Sequence, residues 1–315
     1  MLQTQAKLNN RLRLSSSSNV LLYVIFIVVV ALCAFASPLF LTSENFRNIV
    51  IGSTTFGLLA CGMTMVLVAG EIDLSVGSQV ALTSVLMATL APKSLALAIV
   101  ASLAVTVGIG FLNGVLLVKT GMPSFVLTLS TMGIVRSMAL VIGNGQPVYG
   151  IPKSYTAISS AMVGPVPLVG YILVAIYLLT WFFLKYTTLG RSIYAVGSNS
   201  ESARLSGVNV DRIKVATYVI SGFMAGLAGL FYTSYVTLGL PDGAVDYETQ
   251  AITAAIIGGT SFFGGEGKVF NTFIGLFIVG MVKNILNLMG ISPFVQPVAV
   301  GILIILAVAA RTRTA

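Results

Sequence analysis

The chain has 315 residues, of which 57% are hydrophobic and 8% charged, whereas soluble domains carry roughly 25% charged residues. A water-soluble globule is therefore excluded, and the net charge of +8 reports membrane topology. With no His there is no Ser-His-Asp triad, His-ligated zinc or imidazole base, and Cys33 and Cys61 lie in apolar runs that suit neither a disulfide framework nor a thiolate metal site.

In chain order, residues 1–19 form a polar N-terminal segment with Lys7, Arg11, Arg13 and a serine run, ahead of an apolar stretch from Val20 to Ala36. Ala34-Phe35-Ala36 has the form of a signal-peptidase site, but a 17-residue apolar core exceeds the usual length, so an uncleaved first helix is expected. Further apolar runs occupy Asn48 to Ala69, Val76 to Leu90, Leu95 to Val118, Ser124 to Ile142, Val163 to Leu184, Lys214 to Tyr235, Thr249 to Ile257, Phe270 to Leu288 and Phe294 to Ala310. At about 20 residues per crossing, the pattern predicts an all-α polytopic membrane protein of about ten helices, some of them short or broken. It is one transmembrane domain over residues 20–310 with a tail at 311–315.

Lys and Arg gather in cytoplasmic loops. Ten crossings that start inside place twelve of the seventeen basic residues in the cytoplasm, three outside (Arg47, Lys93, Lys153) and two within helices (Arg136, Lys283). Both termini are then cytoplasmic. One connection stands apart, the 28-residue polar loop Lys185 to Arg212, and long loops in compact proteins tend to be functional. Apolar Ala203, Leu205 and Val208 among polar neighbours, with Ser200 or Ser202 as N-cap, predict a short surface helix inside it.

Charges at membrane depth cost about 2.5–3.5 kcal/mol each and mark functional or well-paired positions. Glu71 and Asp73, followed by Ser75 and Gly77, lie at a break between two apolar runs, where Asp73 is either a helix cap or an ion ligand. A second break follows Glu248 and has five glycines in ten residues, beginning at Gly258 and Gly259. It is not a phosphate loop, since Phe262 stands where the motif needs glycine and Val269 where it needs Ser or Thr. Gly108 and Gly110 likewise lack the third glycine of a dinucleotide fingerprint. Arg136 is deep in the fifth helix and is expected to pair with an acid such as Glu248 or to line a polar cavity; Lys283 is expected to snorkel to an interface. The small-residue pairs Gly110/Gly114 and Gly222/Gly226 permit close helix approach.

The stretches GMTMVLVAGEIDLSVGS (62–78), LGRSIYAVGSNSESARLSGVNV (189–210) and YETQAITAAIIGGTSFFGGEGKVFNTFIG (247–275) together resemble the membrane permeases of bacterial ABC sugar importers, the group of the ribose, galactose, xylose and autoinducer-2 permeases. The likeness runs from about Phe40 to Val308. It implies a ten-helix inner-membrane subunit that pairs with a second permease copy, homodimeric or heterodimeric, and rests on cytoplasmic ATPase subunits. ATP and Mg then belong to the ATPase and no cofactor to this chain. A periplasmic binding protein delivers the sugar, and nucleic acid plays no part.

Gly190, Arg191, Gly197, Asn199, Ala203, Arg204 and Gly207 match the family's ATPase-contacting loop, and residues 73–78 match its Asp-Leu-Ser-Val-Gly-Ser signature. Glu71 and Ser198 depart from it, as glycine is common at both places. Asp73, Ser75, Gly77, Arg136, Glu248, Gly258 and Gly259 remain as translocation-path or helix-break positions, with no catalytic or metal-ligating residue. The rival reading is an ion-coupled secondary transporter that uses Glu71, Asp73, Arg136 or Glu248. An intramembrane enzyme fits poorly, because no nucleophile and base converge.

Overall fold

The structure is a computed structural model that describes residues 20–292, 294–302 and 305. The N-terminal segment at 1–19, the tail at 311–315 and residues 303–304 and 306–310 of the tenth expected crossing lie outside the described residues; that crossing is helical over 296–302. The helices are α1 (Val20–Ala36), α2 (Ser43–Val68), α3 (Val76–Leu90), α4 (Leu95–Thr120), α5 (Ser124–Ile142), α6 (Lys153–Ser160), α7 (Leu168–Tyr186), α8 (Thr188–Ser198), α9 (Ser200–Leu205), α10 (Val210–Val236), α11 (Tyr247–Ile257) and α12 (Val269–Leu288). Six of them, α2, α4, α5, α7, α10 and α12, are long and apolar enough to cross a bilayer, and α1 and α3 are shorter apolar helices. The chain is thus an all-α, multi-pass membrane protein. With 11 residues, α11 is only about 16 Å long, half of a roughly 30 Å hydrocarbon core.

Local chemistry sets the boundaries. α2 begins five residues earlier than expected because Thr42 caps it, its hydroxyl accepting from Asn45 N at 3.2 Å. α4 ends where Gly121 turns left-handed. The crossing expected from Val163 starts instead at Leu168. Gly164 has φ +60°, and Met162–Val163 pair antiparallel with Val166–Pro167 in a two-stranded hairpin ahead of the helix. The sequence reading also passed over α6, an eight-residue helix after Pro152 that is pinned to α10 by Tyr155 Oη donating to Leu230 O at 2.7 Å.

The centre of the molecule is α2 and α3, with α10 packed on both. Leu58, Met63, Leu67, Val80, Leu82 and Met87 are inaccessible there, as are the polar Ser78, Gln79, Thr83 and Ser84. On α4 and α5 much of the surface is apolar and exposed, including Phe111, Leu112, Ile134 and Val141, as befits helices whose solvent is lipid. The two small-residue pairs meet each other. A Cβ on Gly110 would lie 2.3 Å from Tyr218 O, one on Gly222 2.3 Å from Thr106 O, and one on Gly226 2.4 Å from Thr106 Oγ1. Backbone therefore rests on backbone along the α4–α10 contact, where dispersion and not water drives association.

Candidate functional site

The connection between α7 and α10 is a folded unit of two helices. Thr187 caps α8, its hydroxyl oxygen accepting from Gly190 N at 3.0 Å while its O–H donates to Phe183 O at 2.7 Å. The chain reverses so sharply here that a Cβ on Gly190 would stand 2.4 Å from Phe183 O, which only glycine permits. α8 buries Ile193 and Val196 and leaves Arg191 exposed, its Nη1 donating to Tyr186 O at 3.2 Å. The cap of α9 is Asn199, whose Oδ1 accepts from Ser202 N at 2.8 Å, and neither Ser200 nor Ser202 takes that role. The amide group reaches the third residue of the helix from a β-region backbone, which a serine already inside the helix cannot do. Ala203 packs on Val196 and Val210. Gly207, at φ +85° with open space around it, is needed for its backbone angle. Arg204 pairs with Asp211 at 3.0 Å, both well exposed.

Gly197 joins this unit to the membrane helices. A Cβ there would fall 1.7 Å from Val68 O and 2.7 Å from Gly265 N, and Gly265 N itself donates to Val68 O at 2.9 Å. Gly264 also leaves no room for a side chain, its missing Cβ lying 2.6 Å from Gly197 O and 2.9 Å from Gly70 Cα. The end of α8, the end of α2 and the turn after α11 therefore meet backbone to backbone. Tyr194 adds a bond from its Oη to Gly267 O at 2.8 Å, and burial pushes its phenol up, which preserves the donor. The two helix breaks, far apart in sequence, lie side by side under α8. At the second, Gly258 lets α11 rest on α12, where a Cβ would meet Thr272 N at 2.5 Å, and Gly259 turns at φ +89°.

Above the joint, the first break is a hydrogen-bonded hub. Glu71 N donates to Val66 O and Gly70 N to Leu67 O around the left-handed Gly70, closing α2. Asp73 is fully buried and both carboxylate oxygens are used. Oδ1 accepts from Ser75 N at 3.0 Å and from the Ser75 hydroxyl, and Oδ2 from Ser221 Oγ on α10 at 2.7 Å. Ser75, not Asp73, occupies the N-cap position of α3, and its hydroxyl accepts from Gln79 Nε2 at 2.9 Å and Asn113 Nδ2 at 3.2 Å. Asn113 in turn accepts from Thr131 on α5. Gly77 makes room for Glu248, whose Oε2 would lie 2.1 Å from a Cβ there and has no hydrogen-bond partner among the described residues.

The expected Arg136–Glu248 pair and the expected snorkelling of Lys283 are both corrected. Arg136 forms no ion pair with Glu248; its Nη1 donates to Pro241 O at 3.1 Å and Gly243 O at 2.5 Å, clamping the connection between α10 and α11. Carbonyls of an irregular turn have no helical or strand partner and need donors, and a guanidinium supplies several. Lys283 does not reach for an interface either. It points inward, donating to Gln250 Oε1 at 3.0 Å and lying 5.3 Å from the Tyr247 ring. Three residues that the sequence reading left without structural partners complete the hub. Glu71 forms an ion pair with Lys214, and Tyr218 donates to Ile72 O at 2.8 Å. A charge placed at a helix break was the available signal for Glu71; nothing in the sequence pointed to Tyr218. No cluster of three or more potential metal-ligating His, Cys, Asp or Glu side chains exists among the described residues.

A bundle of apolar crossings with two broken helices joined to a folded connecting unit defines a polytopic membrane permease. The chain belongs to the family described as the branched-chain amino acid transport system permease component, which matches residues 45–308. Among curated proteins it is similar to the ribose import permease of Haemophilus influenzae, at 35% identity over 91% of both chains. It is also similar to two Escherichia coli K12 proteins. The D-allose transport system permease is 37% identical, covering 91% of this chain and 89% of the relative, and the L-arabinose transport system permease 36% identical, covering 90% and 88%. No solved structure matches. The kinship with sugar-import permeases drawn from the three motifs is borne out, and such proteins are transport subunits, not enzymes.

Proposed function

We propose that the chain is the membrane-spanning permease of an ATP-binding-cassette importer in the bacterial inner membrane, moving a sugar or sugar-like solute delivered by a periplasmic binding protein. ATPase subunits, which bind ATP and Mg, dock on α8–α9, and a second permease copy completes the pathway. Both termini are cytoplasmic in this reading, as is the joint around Gly197. The observation that carries it is that joint: a folded unit whose seat at Gly197 touches both helix breaks.

A motor needs such a lever. Arg191 and Arg204 face outward and supply donors for an acidic or carbonyl-rich partner surface. Gly190, Asn199, Ala203 and Gly207 give the lever its shape, and Gly197 seats it. When the ATPases close, α8–α9 shifts and the ends of α2 and α11 shift with it, exchanging two arrangements of comparable energy. The similarity to ribose, D-allose and L-arabinose permeases supports a monosaccharide as the solute.

The test is purification through a tag on this chain, with an Arg191→Ala/Arg204→Ala variant beside the parent. An ATPase should accompany the parent, and the double variant should lose on the order of tenfold in ATP-driven uptake, within the range for coupling between sites, without a change in thermal unfolding. A chain that purifies alone, with uptake following a proton or sodium gradient, would establish the ion-coupled alternative instead.

A further inference from the structure

The first break lies along α10 as a three-rung ladder. Its consecutive residues 71, 72 and 73 engage Lys214, Tyr218 and Ser221, positions i, i+4 and i+7 on one stripe of that helix. Tyr218 Oη donates to Ile72 O, and Ser221 Oγ donates to Asp73 Oδ2. The rung nearest the start of α10, and so nearest α8–α9, is the Lys214 Nζ–Glu71 Oε1 ion pair at 2.5 Å. Glu71 keeps 10% of its side-chain exposure and Lys214 24%, so the pair is largely out of water. The Gly70 turn that closes α2 fixes the direction in which Glu71 leaves the backbone. From the other end of the ladder, Ser75 leads directly into α3, the most enclosed helix of the bundle.

We infer that the Glu71–Lys214 ion pair is a transmission link that carries movement of the α8–α9 lever, through the start of α10, to the first helix break and the N-terminus of α3. The inference rests on the permease reading above. Gly197 joins α8 to the same break from one side; the ion pair joins α10 to it from the other, so the break is gripped by both ends of the connecting unit. A partly desolvated ion pair suits this role because it is stiff and directional, and because its loss leaves the Tyr218 and Ser221 rungs to hold the fold. Glu71 and Lys214 are positioning residues: neither needs to touch the solute.

The test uses the intact transporter in proteoliposomes, reading solute imported per ATP hydrolysed. Glu71→Gln should keep its ATPase and hydrolyse ATP, yet import about fivefold less solute per ATP, the low end of the range for coupled sites. The charge-exchanged variant Glu71→Lys/Lys214→Glu should recover most of that loss. A structural role alone would lower the yield of complex and leave the ratio unchanged. An unaltered ratio in Glu71→Gln overturns the inference, as does a charge exchange that restores nothing. If Glu71→Gln does not assemble, Lys214→Gln gives the same reading from the more exposed side. Failure of the unaltered complex to import with ATP would defeat the permease reading itself, and that is visible before any variant is compared.

Discussion

Replacing Gly197 by alanine tests the joint with one methyl group. The added carbon would sit 1.7 Å from Val68 O, 2.7 Å from Gly265 N and 2.8 Å from the Val68 carbonyl carbon. All three are backbone atoms, so no side chain can rotate aside. To reach even 3.0 Å from the carbonyl, α8 must withdraw by about 1.3 Å, and close-packed interiors do not absorb such a shift. Overpacking of this kind costs typically about 1–3 kcal/mol. Opening the Gly265 N–Val68 O bond adds about 0.5–1.5 kcal/mol, the net worth of a typical hydrogen bond, since Gly265 is half-buried. The total of about 1.5–4.5 kcal/mol falls on the contact between α8 and the two breaks.

Gly207→Ala is the matched control. It lies in the same connection with nothing within 4 Å, and only its positive φ is strained, at about 1 kcal/mol. In proteoliposomes, Gly197→Ala should reduce ATP-driven uptake by roughly tenfold or more, where 1.4 kcal/mol already corresponds to a factor of ten, while Gly207→Ala retains most of it. Hydrogen exchange should show loss of protection at the Gly265 amide in Gly197→Ala only. Parent-like uptake and full protection of that amide in Gly197→Ala would refute the claim that the lever is seated by backbone contact.

Asp73→Ala removes an acceptor of three bonds from a fully buried position and should cost about 3 kcal/mol or more, through the groups left unmatched; thermal unfolding of the detergent-purified chain reads it, and Asp73→Asn should fall between. Arg136→Met abolishes the two carbonyl bonds that clamp the connection between α10 and α11. Protease cleavage between Thr237 and Asp246 should then rise severalfold while the bundle core stays protected; an unchanged cleavage rate would mean that Ser84, which bonds Leu240 from α3, suffices without it.

How far the sequence reaches depends on what each residue's neighbours are. The crossings were legible because a bilayer demands long apolar runs, and α2, α4, α5, α10 and α12 lie within a few residues of expectation at their ends. α7 was misplaced at its start because Met162 and Val163 are as apolar as the helix that follows, and only the Gly164 and Pro167 chemistry separates them. The folded nature of 188–205 was legible in part: one short helix was expected and two exist, split at an Asn199 whose capping role outcompetes its serine neighbours. The individual glycines were visible, but not that Gly110 would meet Gly222 or that Gly197 would meet Gly265. Such pairings are decided by which helices lie side by side, and no periodicity encodes them. For the same reason Arg136 and Lys283 could be marked as costly and not matched to Gly243 and Gln250.

The joint under α8 also sets an order of events during synthesis. Its parts come from residues near 70, 197 and 265, so when α8 leaves the ribosome its seat is only half built. The bond between Gly265 and Val68 closes a loop that spans most of the chain, and α2 through α10 have all been synthesised before it can form. Until then the connecting unit has the end of α2 to lean on and no second jaw. Chains cut short before the second break would carry a complete α8–α9 sequence and no working hinge, so a partner that grips only a seated lever would select finished molecules from fragments.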